Sequence, residues 1–233
     1  MINLSKRITG VDEIMDDFAL PASELEPVLK GLGNLNAWFG GHQTLIKALE
    51  QFPVKPGYHI SDWGCGGGDT LKAVAIWAQN RQVPLQLTGI DAAPAAITFA
   101  KKETRNYSNI KYLQADVLSD QWQENQFDIV VSSLFTHHFE DEQWIQLIQK
   151  MYKTAKHGII ITDLHRHWLL YYALIFITTI IIPNKMMRYD APLSVQRSFT
   201  KAELKQLLKR AGITNYKIKW KWAFRWEVII YKS

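Results

Sequence analysis

Ile60-Ser61-Asp62-Trp63-Gly64-Cys65-Gly66-Gly67-Gly68-Asp69 reads as a strand that runs directly into a glycine-rich turn. Glycines at 64, 66 and 68 let the main chain take positive φ and approach a ligand with no Cβ in the way. The residues that follow, Thr70 to Gln79, carry apolar groups at Leu71, Val74, Ala75 and Ala78, the spacing of an amphipathic helix. Strand, glycine turn and helix N-terminus together make a nucleotide-binding corner. The bland alternative is a glycine turn that only closes a βα unit.

The spacing Gly64-x-Gly66-x-Gly68 departs from the Gly-x-Gly-x-x-Gly of dinucleotide sites, and acids flank it at Asp62 and Asp69. Pyrophosphate is best held by bare N–H groups, and carboxylates on both sides would repel it. The amino-acid tail of S-adenosylmethionine carries an ammonium group that a carboxylate suits. Downstream, Leu85 to Ile90 reads as a second strand with Asp91 at its end. Its distance from the turn, roughly twenty residues, suits an acid that binds ribose hydroxyls. Pro94 opens a helix. A third strand, Ile110 to Ala115, ends in Asp116-Val117, and a fourth runs from Phe127 to Leu134. Taken singly, each acid is more readily a helix cap. As an ordered set at strand ends, they are what an open parallel sheet needs to form a ligand crevice on one edge.

On these residues the chain resembles the class I S-adenosylmethionine-dependent methyltransferases, in the style of the bacterial small-molecule and quinone-biosynthesis enzymes. The resemblance covers about residues 40 to 231, and Asp62 to Gly68 is its most specific part. It implies an α/β, Rossmann-like fold: a seven-stranded, mostly parallel sheet with N-terminal helices and an insertion after strand five. The last two strands, Ile213 to Lys219 and Phe224 to Tyr231, would form an antiparallel hairpin. It also implies that Gly64, Cys65, Gly66 and Gly68 line the methionine part of the cofactor, with Asp62 near its ammonium. Asp91 would take the ribose hydroxyls, Ala92 would lie beside the adenine, Asp116 would meet the adenine amino group, and Val117 would pack on the purine. Ser132 to Leu134, with Ser133 at the centre, would lie under the methyl. Trp63 and the small Ala92 depart from the family's usual residues.

Size and composition agree. The 233 residues are most simply one domain (1–233), with an N-terminal helical cap over 1–50 and a lid or insertion over 164–197. An apolar content of 47% with nine tryptophans excludes a disordered chain. The single cysteine excludes an internal disulfide, and Cys65 reads as a small filler of the turn. No secretory signal pattern opens the chain, so residence in the cytoplasm is expected. Ser23 and Glu26 have capping-box spacing ahead of a stripe at Leu25, Val28, Leu29, Leu32, Leu35 and Phe39, which Gly40-Gly41 stops. Thr200 and Glu203 form a second such box. Residues 185–233 hold twelve Lys or Arg against three acids, which reads mostly as solvated helix and strand faces. No nucleic acid is expected as a partner.

Chemistry belongs after strands four and five, where Thr136-His137-His138-Phe139 and Asp163-Leu164-His165-Arg166-His167 fall at one sheet edge. Histidine titrates near neutral pH and suits a base; the resemblance, whose family often has a histidine at this place, makes His138 the first candidate, with His165 second and His137 beside them. A hydrogen-bonding or surface role competes for each. No metal is expected, since adjacent histidines point differently. Trp168 to Ile182 carries no formal charge and, as a helix of roughly 22 Å, is too short to cross a membrane. It reads as an apolar lid over a hydrophobic acceptor, as a core or homodimer helix, or as a peripheral membrane contact. Pro183-Asn184 ends the run, and Tyr189 to Pro192 reads as a turn. The expected activity is methyl transfer to a hydrophobic small molecule, most simply O-methylation of a phenolic or polyketide-like acceptor of secondary metabolism. An RNA or protein methyltransferase and a non-catalytic cofactor-binding protein are the alternatives.

Overall fold

The computed structural model describes residues 3–182 and 184–232, so the stop assigned to Pro183 lies outside the described residues. The strands are β1 His59–Trp63, β2 Gln86–Asp91, β3 Ile110–Gln114, β4 Phe127–Ser133, β5 Ala155–Leu164, β6 Tyr216–Lys221 and β7 Arg225–Tyr231. They form one sheet in the order β3-β2-β1-β4-β5-β7-β6. The first five run parallel, and β7 pairs antiparallel with both β5 and β6. Strand order reverses between β1 and β4, the switch point at which open α/β sheets bind ligands.

Alternation along the central strands divides the core into two layers. Ile60, Ile129, Val131 and Ile160 point to one face, where they meet Leu45 and Leu49 of α2 (Gly41–Leu49) and Leu71 and Val74 of α3 (Asp69–Asn80). Val130, Ile159, Ile161 and Val228 point to the other. There they meet Trp144, Leu147, Ile148 and Met151, one stripe of a helix spanning Asp141–Thr154. Leu204, Leu207 and Leu208, from a helix spanning Lys201–Arg210, join them. Thr200 and Glu203 cap that last helix reciprocally, as their spacing predicts. Pro94 occupies the first turn of its helix, Pro94–Glu103, likewise as predicted.

Three local expectations are corrected. The first helix, α1, spans Ala22–Trp38 and is entered from Pro21, so Ser23 lies inside its first turn and makes no cap. Residues 189–192 are not a turn but lie within a helix, Lys185–Arg197. Proline inside a helix costs about 3 kcal/mol; here tertiary contacts offset it. Met186 and Met187 bury against Val28 and Leu35, and the Asp190 carboxylate accepts hydrogen bonds from the Ile14 and Met15 amides at 2.8 and 3.1 Å. The first hairpin strand begins at Tyr216 rather than Ile213, because Ile213 docks into the core just after the preceding helix ends.

The uncharged segment forms a helix over Trp168–Phe176 that widens into one π turn at Ile177–Ile181. Leu170, Leu174 and Thr178 face inward, whereas Trp168, Leu169, Tyr172, Phe176, Ile180 and Ile181 are exposed. Within its own chain the helix is packed on one side only. Among the described residues no helix is long and apolar enough to cross a membrane.

Candidate functional site

The loops after β1 and β4 meet at the switch point. Gly64, Gly66 and Gly68 have φ of 72°, 47° and 75°, the left-handed region that glycine enters without strain. A Cβ on Gly64 would lie 2.1 Å from the Phe135 ring, so the two loops touch only because that residue has no side chain. Ile90 carbonyl accepts from the Gly64 and Cys65 amides at 2.9 and 3.0 Å, which ties the turn to the end of β2. Asp91, the last residue of β2, accepts from the Gly66 amide at 2.9 Å and from the Ala93 amide at 3.0 Å. Burial holds the Cys65 thiol well above its usual range, with nearby Asp91 and Asp62 adding to it, so it stays protonated and fills space.

A cavity of 330 Å³ opens above this turn. Of the residues assigned to the cofactor, Asp62, Gly64, Cys65, Gly66, Asp91 and Ser133 line it. Gly68 acts from behind, donating its amide to the Cys65 carbonyl at 2.8 Å. Ala92, Asp116 and Val117 do not line the cavity, whereas Ala93 and Ala96, just after Ala92 in the chain, do. Val117 is instead buried in the core, and the Asp116 carboxylate accepts from the Leu118 amide at 2.8 Å.

Asp62 is 1% exposed, and its Oδ1 has no hydrogen-bond partner among the described residues. Burial raises its carboxyl well above the ordinary range, helped by Asp69 and Asp91. A buried carboxyl oxygen left open toward a cavity fits an ammonium group, which would supply the missing partner. Gly66 leads to the same fit: a Cβ there would meet only Leu29, at 3.5 Å, and would otherwise occupy the space above the turn. The residues present therefore suit the amino-acid end of S-adenosylmethionine.

The histidines separate. His137 is 2% exposed and lines the cavity. Its Nδ1 lies 2.6 Å from Asp163 Oδ1, and Asp163 Oδ2 accepts from Thr136 Oγ1 at 2.6 Å and from the His137 amide at 3.0 Å. Burial opposes a charge on Asp163, but His137 and Thr136 outweigh it and hold the carboxyl at about 2. Imidazole Nε2 is left for the cavity side, 3.7 Å from Glu13 Oε1. His138 also lines the cavity, with Nδ1 2.7 Å from Asp16 Oδ1. Burial opposes its charge, yet Glu13 and Asp16 lift it to about 9, so it is cationic at neutral pH. His165 is not at the cavity: its ring packs on Trp226 and its backbone bridges to Phe199. Contrary to the divergence expected of adjacent histidines, His137 and His138 converge with Glu13, all three ligand atoms lying within 4.8 Å.

Sequence reasoning missed Glu13, Asp16 and Arg225 in this wall and gave Asp163 and Asp69 no site role. Asp69 had a signal, its place directly after the glycines; it accepts from Asn36 Nδ2 at 2.9 Å and sits 2.6 Å from His42 Nε2. Asp163 had one too, sitting at the end of β5. Glu13, Asp16 and Arg225 had none, because only long-range folding brings them here.

Residues 60–158 match the family described as "Methyltransferase domain". An uncharacterized methyltransferase of Synechocystis is 30% identical over 143 residues, covering 59% of this chain and 62% of that protein. Phosphoethanolamine N-methyltransferase 3 of Arabidopsis thaliana is 30% identical over 129 residues, covering 53% of this chain and 24% of that one. The chain thus spans less than two thirds of the length of either relative. A solved S-adenosylmethionine-dependent methyltransferase from Aquifex aeolicus superposes with a TM-score of 0.59 at 16% identity, covering 79% of this chain and 87% of that one. Human N-acetylserotonin methyltransferase, solved with S-adenosylmethionine, gives 0.67 at 19%, covering 97% and 64%. With the glycine turn, the switch point and the open Asp62 oxygen in place, residues 60–158 form a methyltransferase domain, set in a chain with the Rossmann-like fold.

Proposed function

We propose that the chain transfers a methyl group from S-adenosylmethionine to an oxygen of an apolar small molecule, with His137 as the base. The observation that carries this reading is the His137–Asp163 pair on the wall of a cavity whose floor is the glycine turn. Asp62 would hold the ammonium, Asp91 the ribose hydroxyls, and the main chain at Gly64 to Gly66 the methionine tail. When bound, the cofactor supplies a methyl group already activated on a sulfonium. What remains for the chain is to hold the acceptor in line and keep water out, an effect worth up to about 7–11 kcal/mol. Asp163 fixes the His137 ring by its Nδ1 side, leaving Nε2 to accept the hydroxyl proton; such a base adds about 10²–10⁴-fold. His138 is already protonated at neutral pH and so is poorly suited to that role.

Apolar residues dominate the wall opposite the turn, among them Leu170, Leu174, Ile177, Met187 and Phe224, which favours an apolar acceptor. The experiment is to incubate cell extracts with pure protein and methyl-labelled cofactor, then search by mass spectrometry for a metabolite that gains one labelled CH₂. Label on RNA or protein alone would overturn the small-molecule reading.

The same helix that lines the cavity turns Trp168, Tyr172, Phe176 and Ile180 outward, with Lys185 and Arg188 exposed next to it. Apolar side chains with flanking cations suit the surface of an anionic bilayer. Co-sedimentation with phosphatidylglycerol vesicles that is lost in Phe176→Asp supports this contact. A concentration-dependent dimer that Phe176→Asp splits, without vesicle binding, replaces it.

A further inference from the structure

We infer that Arg225 is an anion anchor in the acceptor half of the cavity, and that the acceptor carries a carboxylate on an otherwise apolar body. This rests on the methyl-transfer reading above and adds the charge of the substrate to it. Arg225 opens β7 and pairs with Leu164 at the carboxyl end of β5, which brings it to the ligand edge of the sheet. It is 4% exposed and lines the cavity. Its Nε and Nη1 have no hydrogen-bond partner among the described residues. Burying a guanidinium with open N–H groups is costly, and a folded chain recovers that cost only when something else pairs with it. Leu164, Leu170, Leu174, Trp222 and Phe224 also line the cavity and offer no acceptor side chain, and Asn36 Oδ1, the acceptor that lies near through Gly41, makes no hydrogen bond to Arg225.

Neighbouring acids do not discharge the group. Asp69 is engaged by His42 and Asn36, and Asp163 by His137 and Thr136. Burial lowers the guanidinium to about 10 while Asp163 and Asp69 oppose it, so the cation persists at neutral pH. No lysine and no second arginine lines the cavity among the described residues. His138, also cationic, is paired with Asp16, so one unpaired positive charge remains and matches a monoanion; a phosphate dianion would keep an unmatched charge near Glu13, Asp16 and Asp190, which also line the space. Gly41 is part of the device. A Cβ there would come within 3.0 Å of Arg225 Cζ and 1.8 Å of Asn36 Oδ1, so the absent side chain makes room for the guanidinium.

A carboxylate could also come from the methionine tail of the cofactor, and the test separates the two sources. The full chain is titrated by calorimetry with S-adenosylhomocysteine and with 5′-methylthioadenosine, which lacks the amino-acid tail. With S-adenosylhomocysteine saturating, it is then titrated with cinnamate and decanoate and with their amides. We expect at least one acid to bind tenfold or more tightly than its amide. Arg225→Gln should erase that difference and leave S-adenosylhomocysteine within twofold; Arg225→Lys, which keeps the charge, should retain part of it. Equal binding of acids and amides by the unaltered protein, or no binding of either, overturns the inference without any variant. A loss in Arg225→Gln confined to S-adenosylhomocysteine, with 5′-methylthioadenosine unaffected, assigns Arg225 to the cofactor tail and also overturns it. Failure of the unaltered chain to bind S-adenosylhomocysteine would instead sink the methyl-transfer reading itself.

Discussion

The floor of the cavity comes from one short run, Asp62 to Gly67, supported by Asp91, whereas the rest of its lining is side chains from widely separated segments. Glu13 and Asp16 come from the N-terminal segment, His137 and His138 from the loop after β4, Leu170 and Leu174 from the apolar helix, and Arg225 from β7. A floor of backbone amides and glycines can bind only what fits that curve, and it tolerates little change. A wall of side chains can be rebuilt one residue at a time. On the proposed reading the cofactor would take the floor, and whatever distinguishes this chain's acceptor would be set by the wall.

Variants on the two sides should fail differently. The largest effect is expected in the wall: His137→Ala should lower kcat by about 10²–10⁴-fold. Calorimetric affinity for S-adenosylhomocysteine should stay unchanged, and an equal loss in both would break the division. Next is the floor. Gly66→Val places a branched side chain at a φ of 47°, above the turn where only Leu29 lies near. It should weaken S-adenosylhomocysteine by about 100-fold or more, and circular dichroism would show whether the fold survives. Asp91→Ala removes an acceptor of two backbone hydrogen bonds and the proposed ribose contact. A charged hydrogen bond is worth about 1.5–3 kcal/mol, so a loss of roughly tenfold to a hundredfold is expected, again read by calorimetry.

The smallest effect is on stability, and it tests the wall's charges. His138 is lifted from its ordinary 6.5 to about 9 in the folded chain by Glu13 and Asp16, against the opposing effect of burial. A raised pKa favours the folded state where the group is protonated in both states. The contribution is therefore complete below about 6.5 and is lost as pH rises through about 9. The Tm should decline across that window, and His138→Gln should flatten the decline. A profile unchanged in the variant would show that the charge on His138 does not set the pH dependence of stability.

Legibility followed the same division. Gly64, Gly66 and Gly68 could be read because a turn that needs positive φ admits few residues besides glycine, and their spacing lies within one short run. Asp62 and Asp91 could be read because each stands at the end of an apolar strand. Asp116 and Val117 satisfied the same rule yet do not line the cavity, since the bend after β3 points Val117 into the core. Of the candidate histidines, His137 and His138 line the cavity and His165 does not, a distinction that their places after β4 and β5 did not make legible. His138 and His137 are adjacent, and only their partners, Asp16 for the first and Asp163 for the second, tell them apart. The helix over 185–197 was missed because Pro192 and Asp190 carry turn signals, which burial of Met186 and Met187 overrides.

The amino-acid order by itself determined the alternation of strand and helix, the bend at the end of β1 and the acids beside it, because each depends on neighbours within a few residues. Only the tertiary structure decided that Glu13 faces His137, that His165 turns away from the cavity, and that Arg225 is buried with open N–H groups. Those outcomes join positions more than a hundred residues apart, or turn on which partner is missing, and no local pattern encodes either.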